Sequence, residues 1–370
     1  MRIPLSAPDI TELEIEAVVR VLRTPRLSLG PVAEQFEAAV AGSVSLPHAV
    51  AVSSGTAGLH LCVRALDIGE GDEVIVPSFT FIAAANVIRY ERAVPVFVDI
   101  DPETLNIDPG RIEEAITPRT RAILVPHTFG RPADMESILE ISERHGLLVI
   151  EDACEAIGAE YRERKAGSMG RVGVFAFYPN KQITTGEGGM VVTANPVLAG
   201  RIRALRNQGR YETDDWFQHT ELGYNYRISE INCALGLAQM TRLETILGRR
   251  EAVASAYNQR LQSYADLILP ALTSPAGRIS WFVYVVRVRF PHKRDAIIKS
   301  LAAAGIASGR YFAPIHLQPS YAAWRSPSRL AVTEAEASRT LALPFFNQIE
   351  TSAIDEVCQT LGRLLQGESS

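Results

Sequence analysis

The sequence predicts an α/β protein with a large domain on a mostly parallel, mixed sheet covered by helices, followed by a smaller C-terminal α+β domain. Three observations carry this expectation. From about residue 46, short and continuously apolar runs alternate with helical stretches, the pattern of strands buried on both faces and joined by helical crossovers. Near residue 245 that rhythm gives way to longer helical spacing and a strand of mixed exposure. A chain of 370 residues also exceeds what a single core usually covers. The expected division is 1–245 and 246–370.

The elements follow in order. "HAVAVSS" reads as a strand and "TAGLHLCVRAL" as a helix; "DEVIVPS" and "FIAAANVIRY" repeat the unit. "VPVFVDI", the helix candidate "PGRIEEAI", the strand "RAILVPH" and the helix "MESILEISERHG" come next. The strands "LLVIED", "VGVFAF" and "GMVVTA" close the series, the last two with no helix between them, so an antiparallel or edge strand is expected there. A long helical stretch over about 229–265 leads to the strand "ISWFVYVVRVRF" and the helices "KRDAIIKSLAAAG" and "SAIDEVCQTLGRLL".

Composition narrows the class. A hydrophobic share of 47% with 21% charged residues is that of an ordinary globular protein. The net charge of −5, from 37 basic and 42 acidic residues, speaks against nucleic acid as a partner, and the Arg-rich "RIRALRNQGR" has helical spacing and reads as a solvated face. Cys62, Cys154, Cys233 and Cys358 lie far apart without CxxC or Cys/His spacing, so no metal site or disulfide framework is expected and a reducing compartment fits. No stretch has signal-peptide or membrane-span character, so the expected location is cytoplasmic, without a membrane partner.

In open α/β sheets, ligands bind beyond the carboxyl ends of strands. Three such ends hold reactive groups. "SSGTAGLH" (53–60) puts the amides of Gly55, Thr56 and Ala57 at a helix start, beside the hydroxyls of Ser54 and Thr56; this suits a phosphate, and equally an N-cap. "VIEDACEA" (149–156) ends an apolar strand with Glu151 and Asp152, where a carboxylate needs a partner; Asp152 could hold a cationic ligand nitrogen or cap a helix. "FAFYPNKQITTGEGGMVVT" (175–193) places Lys181 between a strand and a glycine cluster, where an amine can form an imine with a carbonyl. Singly each is weak. Together, a phosphate cradle, a strand-end Asp and a lysine are the parts that pyridoxal 5'-phosphate requires.

These segments, with "VPSFTFIAAANVI", "VPHTFGRPADM" and "LGYNYRISEINCALGLAQ", resemble the DegT/StrS-type aminotransferases of nucleotide-linked keto sugars, densely to about residue 245 and more thinly through "PIHLQPSY" (314–321). The resemblance implies an aspartate-aminotransferase-type fold (type I) and a homodimer with shared active sites. It implies Lys181 as the Schiff-base lysine, Asp152 as partner of the pyridinium nitrogen, Thr56 and Ala57 at the phosphate, and Phe81 over the ring. Asn225 and Arg227, in "GYNYR", match residues that reach the neighbouring subunit's cofactor; a polar loop before a helix is the plainer alternative. His316 is a candidate for substrate contact, Glu187 for substrate contact or for fixing its glycine turn, and His127 for lining the pocket or as a hydrogen-bonded loop residue.

Two positions depart from the family pattern. Ala176 stands where members often have a phosphate-binding Ser, and Glu155 stands where many have His or Gln near the phenolic oxygen. A carboxylate there would be repelled, so Glu155 has a raised pKa or points elsewhere. The expected activity is amino transfer from L-glutamate to a keto sugar nucleotide in polysaccharide biosynthesis. The "TTGEGG" form points to a 4-keto-6-deoxyhexose. The alternative is a non-catalytic regulatory or scaffolding member of the same fold. A pyridoxamine-phosphate dehydratase would carry His in place of Lys181, and no GxGxxG follows an early strand to support a dehydrogenase.

Overall fold

The computed structural model describes residues 1–324 and 329–367. Two helices, α1 (Glu12–Leu22) and α2 (Pro31–Ser43), precede the alternation. β1 (His48–Val52) leads into α3 (Gly55–Ala65), and β2 (Glu73–Pro77) into α4 (Ala83–Tyr90). β3 (Val94–Val98), β4 (Thr120–Pro126), α5 (Met135–His145) and β5 (Leu148–Asp152) follow. The short pair β6 (Glu160–Tyr161) and β7 (Arg164–Lys165) comes before β8 (Val172–Ala176), β9 (Gly189–Thr193) and α6 (Pro196–Arg206).

These strands form a seven-stranded sheet of order β1-β9-β8-β5-β4-β2-β3. β9 is antiparallel to both its neighbours, and the other pairings are parallel. The strand after "VFAF" is thus antiparallel but internal. Along β5 successive side chains alternate sides: Val149 joins Met135 and Ile138 of α5, while Ile150 joins Leu59 and Val63 of α3 and Ile88 of α4. Both faces are covered, which is why the strands read as unbroken apolar runs.

The helix expected over "PGRIEEAI" forms only two 3-10 turns, Pro109–Arg111 and Glu113–Ala115. Pro109 at the start is compatible with a helix, but the chain turns extended at Ile116 (φ −73°, ψ 129°) ahead of Pro118, which disfavours helical geometry at the residue before it. The long stretch near 229–265 is two helices, α7 (Glu230–Thr241) and α8 (Leu243–Leu261), broken at Arg242 (φ −109°, ψ 4°).

A second sheet, β10 (Leu267–Ile268), β11 (Tyr284–Val288) and β12 (Thr340–Leu343), is antiparallel throughout. Helix α9 (Pro291–Ala303) packs with it, α10 (Ala331–Ala337) instead places Val332 and Ala337 in a cluster with Phe79, Ile100 and Phe312, and α11 (Thr351–Gln366) completes a core that includes Tyr257, Leu301, Val357 and Leu361. Only part of "ISWFVYVVRVRF" is strand, because Trp281 takes a left-handed φ of 48° that an extended chain does not use. Just ahead of β11 the chain bonds instead to the large sheet's loops: Ser280 N–H donates to Gly130 O at 2.9 Å and Phe282 N–H to Phe129 O at 3.3 Å. We propose the division at 245/246, which falls within α8; Ile3, near the N-terminus, nevertheless packs in the second core and bridges Ile306. Among the described residues, no helix is long and apolar enough to cross a membrane.

Buried Asp9 ties these parts together. One carboxylate oxygen accepts from Arg242 and from Gln348, both at 2.9 Å, and the other from Asn347 at 3.0 Å and Arg249 at 3.3 Å. Burial works to raise its pKa, but Asn347, Arg242 and Gln348 outweigh it and hold the carboxyl below its usual range. A depressed pKa stabilises the fold above the unfolded value, about 3.9, and that contribution is lost as pH falls through the native value. Asp9→Asn should therefore lower stability at neutral pH by ~2–4 kcal/mol. The gap to wild type should close below about pH 4, read from denaturant midpoints across pH.

Candidate active site

The carboxyl ends of β1, β2, β4, β5 and β8 open onto one cavity of about 610 Å³. The register makes this so: Asp152 at the end of β5 aligns with Pro126 of β4 and Val174 of β8.

At the end of β5 two acids separate. Glu151 is fully buried and saturated: it accepts from the amides of Gly167 (2.8 Å), Met169 (2.6 Å) and Gly170 (2.5 Å), and lies 2.9 Å from His127 Nε2. The Ala133 amide donates to His127 Nδ1 at 3.1 Å, so the ring proton resides on Nε2 and points at Glu151. Glu151 is a structural anchor. Asp152 lines the cavity, with one carboxylate oxygen held by the Cys154 amide at 3.1 Å.

Lys181 sits in a turn after β8, where its amide donates to Tyr178 O at 2.9 Å. Its amine lines the same cavity, 3.8 Å from the centroid of the Phe282 ring and 3.5 Å from Glu155 Oε1. Glu155 is nearly buried, and its Oε2 accepts the Phe129 amide at 2.9 Å. Burial raises the pKa of this carboxyl, against the pull of Lys181 and of the Phe129 amide.

Helix α3 starts at the cavity wall. Ser54 is its N-cap, its Oγ accepting from the Ala57 amide at 3.0 Å, which leaves the hydroxyl proton free to donate. Ala57 is thereby engaged and does not line the cavity, whereas Gly55 and Thr56 do, with first-turn amides that have no helical carbonyl to bond. Two glycines permit this close assembly. A Cβ on Gly55 would lie 2.6 Å from the Ala176 Cβ, and one on Gly189 would lie 2.6 Å from the carbonyl of Ser54.

Phe81 and Glu187 stand exposed at the rim. Asn225 and Arg227 are not brought into this cavity: Asn225 is exposed and bridges Asn207, and Arg227 donates to Asn207 Oδ1 at 3.0 Å. His316 is not brought in either; buried, it lies with Nδ1 2.6 Å from Ser78 Oγ and tethers the 314–321 segment to the end of β2. The cavity also takes Phe282, Arg310, Tyr311 and Phe312 from the region of the second sheet, and Asn180 beside the lysine. Sequence patterns gave no sign of these, since no periodicity links Phe282 or residues 310–312 to a strand end of the large sheet.

The donor set fits pyridoxal phosphate. Among the described residues Lys181 Nζ has one ion-pair partner, Glu155 at 3.5 Å, Asn180 Oδ1 is a buried acceptor without a partner, and Gly55 and Thr56 line the same space. Such equipment belongs to the pyridoxal-phosphate enzymes. Comparison with known proteins gives the family. The model of the DegT/DnrJ/EryC1/StrS aminotransferase family matches residues 8–362. GDP-perosamine synthase of Caulobacter vibrioides is 42% identical, with 98% of each chain covered. The structure of S. venezuelae DesV in complex with a ketimine intermediate superposes with a TM-score of 0.92 at 37% identity, covering 99% of each chain. The putative sugar aminotransferase Spr1654 of Streptococcus pneumoniae matches in its PLP form with a TM-score of 0.95 at 28% identity over the whole of both chains. The chain belongs to the DegT/DnrJ/EryC1/StrS aminotransferase family. It is a pyridoxal-phosphate-dependent aminotransferase with the fold of that family.

Because Gly189 lets β9 approach the start of α3, Gly189→Ala should push Ser54 and Gly55 aside. Cofactor affinity should fall about tenfold or more, on the order of 1.4 kcal/mol, in a protein that still folds, as measured by cofactor titration.

Proposed function

We propose that this protein transfers an amino group from L-glutamate to a nucleotide-linked 4-keto-6-deoxyhexose, in the cytoplasm and as a homodimer. The observation that carries the reading is the facing of the Lys181 amine and the Asp152 carboxylate across one cavity at the strand ends. The sugar class is supported by the relative named GDP-perosamine synthase and by the Bacillus subtilis relative named for spore coat polysaccharide biosynthesis.

Pyridoxal phosphate supplies an aldehyde that receives the amine and a ring that draws electrons from the reacting carbon. Lys181 would hold the cofactor through Nζ, and its free amine would move the proton at the donor's α-carbon. Asp152, oriented by the Cys154 amide, keeps the ring nitrogen protonated. The Gly55 and Thr56 amides and the Ser54 hydroxyl bind the phosphate at the start of α3. Phe81 and Glu187 line the cavity at its rim, where the first would cover the ring and the second would meet the sugar. Ala57 supports the phosphate site indirectly, through its bond to Ser54. Asn225 and Arg227, turned away from their own cavity, complete the phosphate site of the second copy.

The purified protein loaded with cofactor should lose its visible absorption band on addition of L-glutamate. An unchanged spectrum would refute the donor or the catalytic role. Lys181→Ala should abolish turnover, and Asp152→Asn should fold normally while losing ~10²–10⁴-fold in kcat. A heterodimer of Lys181→Ala with Arg227→Ala should recover activity in one of its two sites, and verified heterodimers that stay inactive would place each site within one chain.

A further inference from the structure

The buried group that the scheme above leaves unused is Glu155. Its position is over-determined. The Phe129 amide holds Oε2 at 2.9 Å, and Gln182 Nε2 donates to the Glu155 carbonyl at 2.6 Å and to Ser280 Oγ at 2.5 Å, fixing the main chain. Phe129 itself adopts a left-handed φ of 60°, which aims its amide at this carboxyl. Among the described residues, the ion-pair partner of the other oxygen, Oε1, is Lys181 Nζ at 3.5 Å. The face of Phe282 lies 3.8 Å from the same nitrogen, so the amine is held between the Glu155 carboxyl group and an aromatic ring.

We propose that Glu155 is the proton-holding partner of Lys181, taking one proton from Nζ when the amine condenses with the cofactor's aldehyde and returning it when the amine is set free. The proposal rests on the reading of Lys181 as the cofactor's lysine. The step balances. Condensation of an ammonium group with an aldehyde breaks C=O, forms C=N and releases water; two of the three ammonium protons leave in that water and the third goes to Oε1. Afterwards Glu155 has lost its counter-ion in a buried place. The other titratable groups facing it are the Asp152 carboxylate, the Cys154 thiol and the Tyr311 hydroxyl, and none supplies positive charge. Burial and Asp152 already push the carboxyl toward its neutral form. The Phe129 amide, anchored by its own backbone, holds the group in place in either state.

The test is infrared difference spectroscopy of the protein with and without pyridoxal phosphate, near neutral pH. Loading should produce the C=O stretch of a protonated carboxylic acid in wild type, and Glu155→Gln should lose it while still taking up cofactor in the visible spectrum. Labelling glutamate carboxyls with carbon-13 should shift the band in wild type, which separates Glu155 from Asp152 even if the variant does not fold. A cofactor band in the visible with no carboxylic-acid signal would overturn the role of Glu155 alone. A signal that persists in Glu155→Gln, or that does not move with the label, would do the same. No visible change in wild type on adding cofactor would overturn the reading of Lys181 along with it.

Discussion

Glu151 and Asp152 are neighbours on one strand, and extended geometry sends their side chains to opposite sides. The first is locked by three amides and His127, and the second faces the cavity. An acid buried this deeply is tolerated only when its oxygens are saturated, and saturation fixes it. The Gly167–Gly170 turn, the strand β4 exit at His127 and the direction of Asp152 therefore share one origin. A slip of one residue along β5 would exchange the two acids and leave an unpaired carboxylate in the core.

Much of this was legible in the sequence, for a physical reason. A strand buried on both faces has to be apolar throughout, so β1 to β5, β8 and β9 announce themselves, and a carboxylate at the end of such a run is conspicuous. Lys181 stood out because glycines follow it. What escaped was long-range. Asp152 was already picked out as the acid at the strand end, but that Glu151 is the anchor depends on amides of residues 167–170, which no local pattern links to β5. The split at Arg242 and the 3-10 turns near 109–115 turn on backbone geometry that apolar periodicity does not encode. His316 is visible as part of a motif, yet its partner, Ser78, is on the far side of the sequence.

The wall that covers Lys181 comes from the second sheet and is held by a buried cation. Arg250 of α8 donates to the carbonyls of Trp281 and Phe282, both at 2.7 Å, and to Asn347 Oδ1 at 3.0 Å. Burial pulls its pKa down to about 9. A planar guanidinium can serve three acceptors in fixed directions, which an ammonium on a flexible stem cannot. Those bonds stabilise the turn at Trp281, and the turn delivers the Phe282 ring to the lysine. Phe312 stacks on Phe129 with centroids 5.4 Å apart, so the same wall also buttresses the residue whose amide holds Glu155.

Charge sets the remaining constraint. Among the described residues, one chain's cavity contributes Lys181 inside and Arg310 at the mouth, the latter already bonded to Asp295 at 2.7 Å. Against these stand Asp152, Glu155 and the rim Glu187, and the cofactor's phosphate adds further negative charge. The dipole at the start of α3 offsets only about half a unit. A site so composed is short of positive charge unless one carboxyl is neutral or a cation arrives from elsewhere. Ala176 sharpens the point, since its side chain offers the site no hydroxyl, and the Ser54 hydroxyl can donate but brings no charge. Glu155, pressed toward its neutral form, is one place where this chain can close the balance, and in the proposed homodimer Arg227 is the other.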